Sequence, residues 1–221
     1  MIVTMKKIGV LGTGMVGKTI ANKLLQLGYE VKMGSRTSNN EKALNWLRAA
    51  GPNAQIGTFE EVTIQSDILF NCTKGASVEE AIRLAGIENL KSKIVIDLSN
   101  PLDFSNGMPP TLIPQYANSW SMGEAIQQLC PDTFVVKTLN MVNCEVMVNA
   151  ALAGDNASMF VCGNDSESKI TVSKLLQEFG WNDIIDLGDI SASRGMEMLL
   201  PIWLRLWKAT GTGHLAFKIV R

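Results

Sequence analysis

The chain has 221 residues, of which 46% are apolar, with 20 Lys plus Arg against 21 Asp plus Glu. That length and apolar share fit one large α/β domain or a nucleotide domain with a small appendage, and the charge balance argues against nucleic acid or an anionic membrane as the main partner. Four scattered cysteines (Cys72, Cys130, Cys144, Cys162) form no C-x-x-C pair and are joined by one histidine, His214. A zinc site is therefore unsupported, and the thiols are expected to be reduced and buried in a cytoplasmic protein.

The start, Met5-Lys6-Lys7 followed by apolar residues, superficially mimics an export signal, but Gly9, Gly12, Gly14 and Lys18 interrupt the run and no small-residue cleavage site follows. Lys7–Leu11 predicts a strand, and the turn Gly12-Thr13-Gly14-Met15-Val16-Gly17 comes next. Lys18–Leu27 then places Ile20, Ala21, Leu24, Leu25 and Leu27 at helical spacing, with Gly28 as the stop. A second strand, Glu30–Met33, precedes a helix over Asn40–Ala50. Strands are predicted at Ala54–Ile56, Ile68–Cys72, Ile94–Leu98 and Phe134–Thr138, with helices at Ser77–Ala85 and Gly123–Leu129. The long irregular stretch Asn100–Ser121 is rich in proline, as a functional loop or a surface excursion would be.

The pattern continues with strand Met159–Cys162, helix Ser166–Phe179, strand Asp183–Leu187 and helix Ala192–Trp207, and closes with Leu215–Val220. The apolar run Met196–Trp207 contains Glu197, Pro201 and Arg205 and falls short of the about 20 apolar residues needed to span a bilayer. It reads as a buried or subunit-facing helix. Alternating strands and helices imply the α/β class: a Rossmann doubly wound parallel sheet with a small C-terminal α/β extension. The expected division is a nucleotide-binding domain over residues 1–150 and a C-terminal subdomain over 151–221 packed on it.

The Gly12–Gly17 turn lies between a strand and a helix, the context that makes a G-x-G-x-x-G pattern specific. Gly12 suits the tight turn, Gly14 the approach of the pyrophosphate, and Gly17 close helix–strand packing; Thr13, Met15 and Val16 complete the cofactor loop. An NAD enzyme carries an acidic residue at the end of the second strand. This chain has Gly34-Ser35-Arg36 there. A carboxylate would repel a 2′-phosphate; Ser35 can donate to it and Arg36 can add charge-assisted bonds, with Thr37, Ser38 and Asn40 in secondary roles. The nucleotide read from these residues is NADP(H).

Ligands in such folds lie beyond the carboxyl ends of the strands. The strand ends supply Cys72-Thr73-Lys74, Ser99-Asn100-Pro101 and Asn140-Met141-Val142. Cys72, Thr73, Lys74, Asn100, Pro101 and Asn140 are candidate cofactor contacts, and Met141, Val142 and Arg194 candidate substrate contacts. Asn100 and Asn140 could also serve as turn or cap residues, Lys74 could be solvated, and Arg194 could hold either an anionic part of a substrate or a helix carboxylate. Cys72 and Cys144 read as packing residues and His214 as structural or surface. No residue is assigned an acid–base role, and with Tyr29 and Tyr116 as the only tyrosines no Ser-x-x-x-Tyr-x-x-x-Lys constellation is present.

The segment Gly12–Lys18 together with Gly34-Ser35-Arg36 resembles the NADP-dependent oxidoreductases that use the deazaflavin coenzyme F420. Ser193-Arg194 and Leu200-Pro201-Ile202 through Gly211, Gly213 and Phe217-Lys218 are similar to that family's C-terminal segment. Asp97–Phe104 and Lys137-Thr138-Leu139-Asn140 are similar to its bacterial branch. The resemblance implies direct hydride transfer between NADPH and a flat ring, coenzyme F420 or a flavin, with no covalent intermediate and no obligatory acid–base side chain. It also implies a homodimer acting on a small-molecule redox co-substrate. Archaeal members place a histidine near the deazaflavin where this chain has Asn140. The alternatives are an NADPH-dependent reductase of a small imine or carbonyl and a non-catalytic NADPH-binding redox sensor.

Overall fold

A computed structural model describes residues 7–154 and 156–221. Met5 and Lys6 of the lysine-containing start lie outside them. In chain order the strands are β1 (Ile8–Leu11), β2 (Val31–Ser35), β3 (Ala54–Thr58), β4 (Ile68–Asn71), β5 (Ile94–Asp97), β6 (Leu102–Asp103), β7 (Thr111–Leu112), β8 (Phe134–Thr138), β9 (Ser158–Gly163) and β10 (Asp183–Asp186). The helices are α1 (Met15–Gln26), α2 (Glu41–Ala50), α3 (Phe59–Gln65), α4 (Val78–Ala85), α5 (Ile87–Leu90), α6 (Met122–Leu129), α7 (Cys144–Met147), α8 (Ser166–Glu178), α9 (Ser193–Met198) and α10 (Leu200–Thr210).

Eight strands form one sheet in the order β10-β9-β8-β5-β4-β1-β2-β3. The run from β3 to β8 is parallel throughout. The chain winds outward from β1 to β3, then crosses back to β4, so the topological switch lies between β1 and β4, where such folds place their ligand crevice. β9 joins β8 antiparallel, through a connection that carries only the four-residue α7 and a short 3-10 turn instead of a crossover helix. β10 continues parallel to β9 after α8. Both strands lie beyond residue 150 and extend the same sheet.

The central strands β1, β4 and β5 are buried along almost their whole length, as near-continuous apolar runs in a two-faced sheet should be. α1 buries Ile20, Ala21 and Leu24 and begins three residues before the predicted start, because Met15-Val16-Gly17 already form its first turn. The sequence pattern does not predict α3. A capping box starts it: the Thr58 hydroxyl accepts from Glu61 N, while the Glu61 carboxylate accepts from Thr58 N. The predicted helix Ala192–Trp207 is two helices meeting at Leu199, with Pro201 in the first turn of α10, where a missing N–H costs nothing. The stretch 100–121 contains the small β6–β7 hairpin and a 3-10 turn, Pro114–Tyr116. The closing Leu215–Val220 forms no strand; Ser158 N donates to Phe217 O, and Lys218 and Arg221 reach Asp183.

Candidate functional site

The glycine-rich turn joins β1 to α1 at the switch point. Gly12 has φ 122°, and a Cβ there would lie 2.9 Å from the Cys72 carbonyl oxygen beyond β4. A Cβ on Gly17 would sit 2.1 Å from Gly12 O, so the turn closes only with glycine at both positions. Gly14 differs: it is exposed, it caps α1 from an extended conformation, and its Cβ would meet nothing within 4 Å. No side chain caps α1 and no acidic residue lies in its first turn. The outcome is an open cradle in front of unpaired helix N–H groups, a setting that favours an anion. Met15 is exposed at its edge, with Thr13 and Val16 half-buried beside it.

At the end of β2 the two predicted residues behave differently. Ser35 is buried, and its hydroxyl donates to the Thr37 carbonyl at 2.6 Å, bracing the loop. Arg36 projects outward, 61% exposed, with Nη2 3.6 Å from Glu80 Oε2 on α4. Asn40 is the cap of α2, its side chain accepting from Ala43 N, so its predicted secondary role gives way to a structural one. Arg36 is thus the exposed cation of this loop, lying beside Glu80 on α4.

The ends of β4, β5 and β8 converge as expected. Asn71 donates to Asp97 Oδ1 at 2.8 Å and accepts from the Thr73 hydroxyl at 2.6 Å. Lys74 is exposed. Cys72 is half-buried, and desolvation and the Asp97 carboxylate hold its thiol well above the ordinary range. Asn100 and Asn140 form a reciprocal pair: Asn100 Nδ2 donates to Asn140 O at 2.8 Å, and Asn140 Nδ2 to Asn100 Oδ1 at 2.9 Å. Asn140 also donates to Met196 O at 3.0 Å. Pro101 is buried beside them.

Met141 and Val142, expected at the substrate, are instead core side chains, 1% and 5% exposed. Beyond the positive-φ Leu139 the chain turns inward, so their apolar side chains are better satisfied in the core than at a crevice. Arg194 takes the second of its two expected roles. Its Nε donates to Glu124 Oε2 at 2.8 Å and its Nη2 binds the other oxygen. Burial alone would raise the Glu124 pKa, but bonds from Arg194 and the Ser121 hydroxyl hold it below the usual glutamate range. His214 contacts Glu145 at 2.7 Å on the surface.

Sequence reasoning missed the most heavily charged feature of this end. Lys137, Asp97 and Glu197 are each 0% exposed. Lys137 Nζ lies 2.7 Å from Asp97 Oδ2, 2.9 Å from Glu197 Oε1 and 2.5 Å from Ser99 O. Its three donors therefore have three acceptors. Burial alone would lower Lys137, but Asp97 and Glu197 outweigh it and keep the ammonium above the ordinary lysine value. Glu197 in turn accepts from Met122 N and Gly123 N at the start of α6. The signal in the sequence was a lysine in the apolar run of β8, an unusual interior residue that calls for a partner.

Among the described residues, no helix is long and apolar enough to cross a membrane. The family model for coenzyme F420-dependent NADP oxidoreductases matches residues 7–101. The F420-dependent NADP reductase of Methanocaldococcus jannaschii is 28% identical over 218 residues, covering 94% of this chain and 96% of that protein. Metalloreductase STEAP3 of Rattus norvegicus is 28% identical over 204 residues, covering 89% of this chain; the chain spans only 38% of that protein's length. A crystal structure of a candidate F420-dependent NADP-reductase from Arthrobacter sp. FB24 superposes with a TM-score of 0.91 at 47% identity, covering 98% of this chain and 100% of that one. That relative, matched along its full length, and the family model over residues 7–101 together place the chain in the family of coenzyme F420-dependent NADP oxidoreductases.

Proposed function

We propose that the chain binds NADP(H) across the β1–β4 switch point and moves a hydride between the nucleotide and a flat redox ring, coenzyme F420, a flavin or a similar molecule. The observation that carries this reading is the open cradle at Gly14, in front of uncapped N–H groups of α1, with the exposed guanidinium of Arg36 just past the end of the adjacent parallel strand β2. The residues present fit the nucleotide. Gly12–Gly17 would receive the pyrophosphate, Arg36 the 2′-phosphate with Ser35 bracing its loop, and Thr73, Lys74 and Asn100, backed by the buried Asn140, the nicotinamide half. When bound, NADPH supplies the hydride. The protein's part is to hold two rings face to face and exclude water.

The strand ends suit that task. They offer amides, hydroxyls and backbone groups, while the nearby Cys72 thiol is pushed toward its neutral form. Transfer to a ring acceptor depends mainly on orientation, whereas reduction of a carbonyl needs a donor for the developing alkoxide. Four free cysteines, three of them buried, accord with a reducing cytoplasm. Met198, Ile202, Leu206 and Trp207 are exposed on α9 and α10 and support a homodimer.

Calorimetric titration with NADPH and NADH, then NADPH oxidation followed by absorbance, tests the reading. Tight NADPH binding and oxidation with coenzyme F420 or a flavin is the expected result. Turnover with imines or carbonyls alone, or binding without turnover on any acceptor, would replace it with a small-molecule reductase or a redox sensor. Light scattering checks the dimer.

A further inference from the structure

We infer that Lys137 is a positioning residue for hydride transfer: its buried ammonium ties the carboxyl ends of β5 and β8 to α9 and thereby fixes the Asn100–Asn140 pair. The inference rests on the function proposed above. Three observations place it there. Lys137 grips Asp97 and the Ser99 carbonyl, the residue next to Asn100, while its partner Glu197 follows Met196, whose carbonyl accepts from Asn140. The same ammonium therefore restrains both amides, one through β5 and one through α9. Second, Leu139, between the lysine's strand and Asn140, holds φ 61° although it is neither glycine nor asparagine. Such a conformation persists only where surrounding contacts over-determine it. Third, Ser99 Oγ and Asn140 Oδ1 are buried without a hydrogen-bond partner among the described residues. Both belong to the loops that Lys137 restrains. Buried polar atoms are seldom left unpaired, so these loops are held in place by contacts other than their own hydrogen bonds.

A buried ion triad also supports the fold, so removal of one charge confounds the two roles. The test therefore compares Lys137→Met with the neutral triple variant Asp97→Asn, Lys137→Met, Glu197→Gln. The readouts are thermal midpoint, NADPH affinity, the nicotinamide fluorescence of bound NADPH, and single-turnover transfer to coenzyme F420. Lys137→Met alone should unfold early, because two buried carboxylates lose their cation. The triple variant should regain the thermal midpoint and keep NADPH affinity within about threefold, since the adenosine and phosphate anchors are untouched. It should nevertheless lose the fluorescence enhancement of an immobilised nicotinamide and transfer hydride at least about tenfold more slowly, the scale on which small misplacements act.

Wild-type fluorescence and transfer in a stable triple variant would overturn the inference, leaving the triad as fold support alone. A triple variant that fails to fold would overturn it as well, because the charges would then be indispensable to the fold itself. Wild-type protein that does not bind NADPH would instead refute the proposed function. If it binds NADPH but reduces no F420, the fluorescence comparison still decides the role of Lys137.

Discussion

Substituting Arg36 by alanine should weaken NADPH binding and leave NADH nearly unaffected. A charge-assisted hydrogen bond contributes about 1.5–3 kcal/mol. Arg36 is 61% exposed, which places its bonds to a 2′-phosphate at the low end of that range through solvent screening. It must also leave Glu80, 3.6 Å away. That exposed pair contributes only about 0–1 kcal/mol. The net loss should be about 1–2 kcal/mol, or roughly 5- to 30-fold in Kd. NADH has no 2′-phosphate and should shift by less than about twofold. Removing the competitor should act in the opposite direction. Glu80→Gln frees the guanidinium and takes away a like charge, so NADPH should bind about two- to fivefold more tightly, an effect that shrinks as salt screens it. Isothermal titration of both nucleotides at two ionic strengths measures all of these. Equal losses for NADPH and NADH in Arg36→Ala would refute the assignment of the 2′-phosphate to this loop.

The glycine turn offers an internal contrast. Gly17→Ala drives a Cβ to 2.1 Å from a backbone oxygen and should cost at least about 3 kcal/mol by chemical denaturation. Gly14→Ala meets no atom within 4 Å and should leave stability unchanged while reducing NADPH affinity about tenfold or more, because its methyl group occupies the pyrophosphate space. Arg194→Ala should lower the thermal midpoint by leaving the buried Glu124 carboxylate without its cation, and should leave the KM for the acceptor unchanged; a raised KM at constant stability would return Arg194 to the substrate. Asp183 is held down to about 2 by bonds from the Ser158 hydroxyl, Lys218 and Arg221. Its folded pKa lies below its unfolded value, so its stabilising effect is complete above about pH 4 and fades as pH falls toward 2. The thermal-midpoint gap between wild type and Asp183→Asn should therefore close across that window.

The N-terminal half is legible in the sequence because its features are local. Gly12, Gly14 and Gly17 sit within one turn, and the contacts that require two of them are with each other or with the next strand end. Arg36 follows its strand directly. Strands such as Phe134–Thr138 were read from apolar runs that cannot be satisfied anywhere but in a sheet interior. α3 escaped notice although Thr58 and Glu61 spell its capping box, because the following turn carries too few apolar residues to establish a helical period. Adjacency to Asn140 alone points Met141 and Val142 toward a substrate. Leu139, in a left-handed conformation, turns the chain there, and nothing in its side chain announces that conformation.

What adjacency cannot supply is the partner of a buried charge. Lys137 stands in an apolar strand, and an ammonium there is tolerable only if carboxylates reach it. One comes from β5, the neighbouring strand, and the other from α9, beyond the division expected near residue 150. β9 and β10 cross the same boundary to complete the sheet. The C-terminal segment is thus tied to the first half electrostatically at the strand ends and through hydrogen bonds along the sheet. If a ring acceptor docks against that segment as proposed, the contacts that satisfy the lysine would also position it, and fold integrity and hydride geometry would share one buried cation.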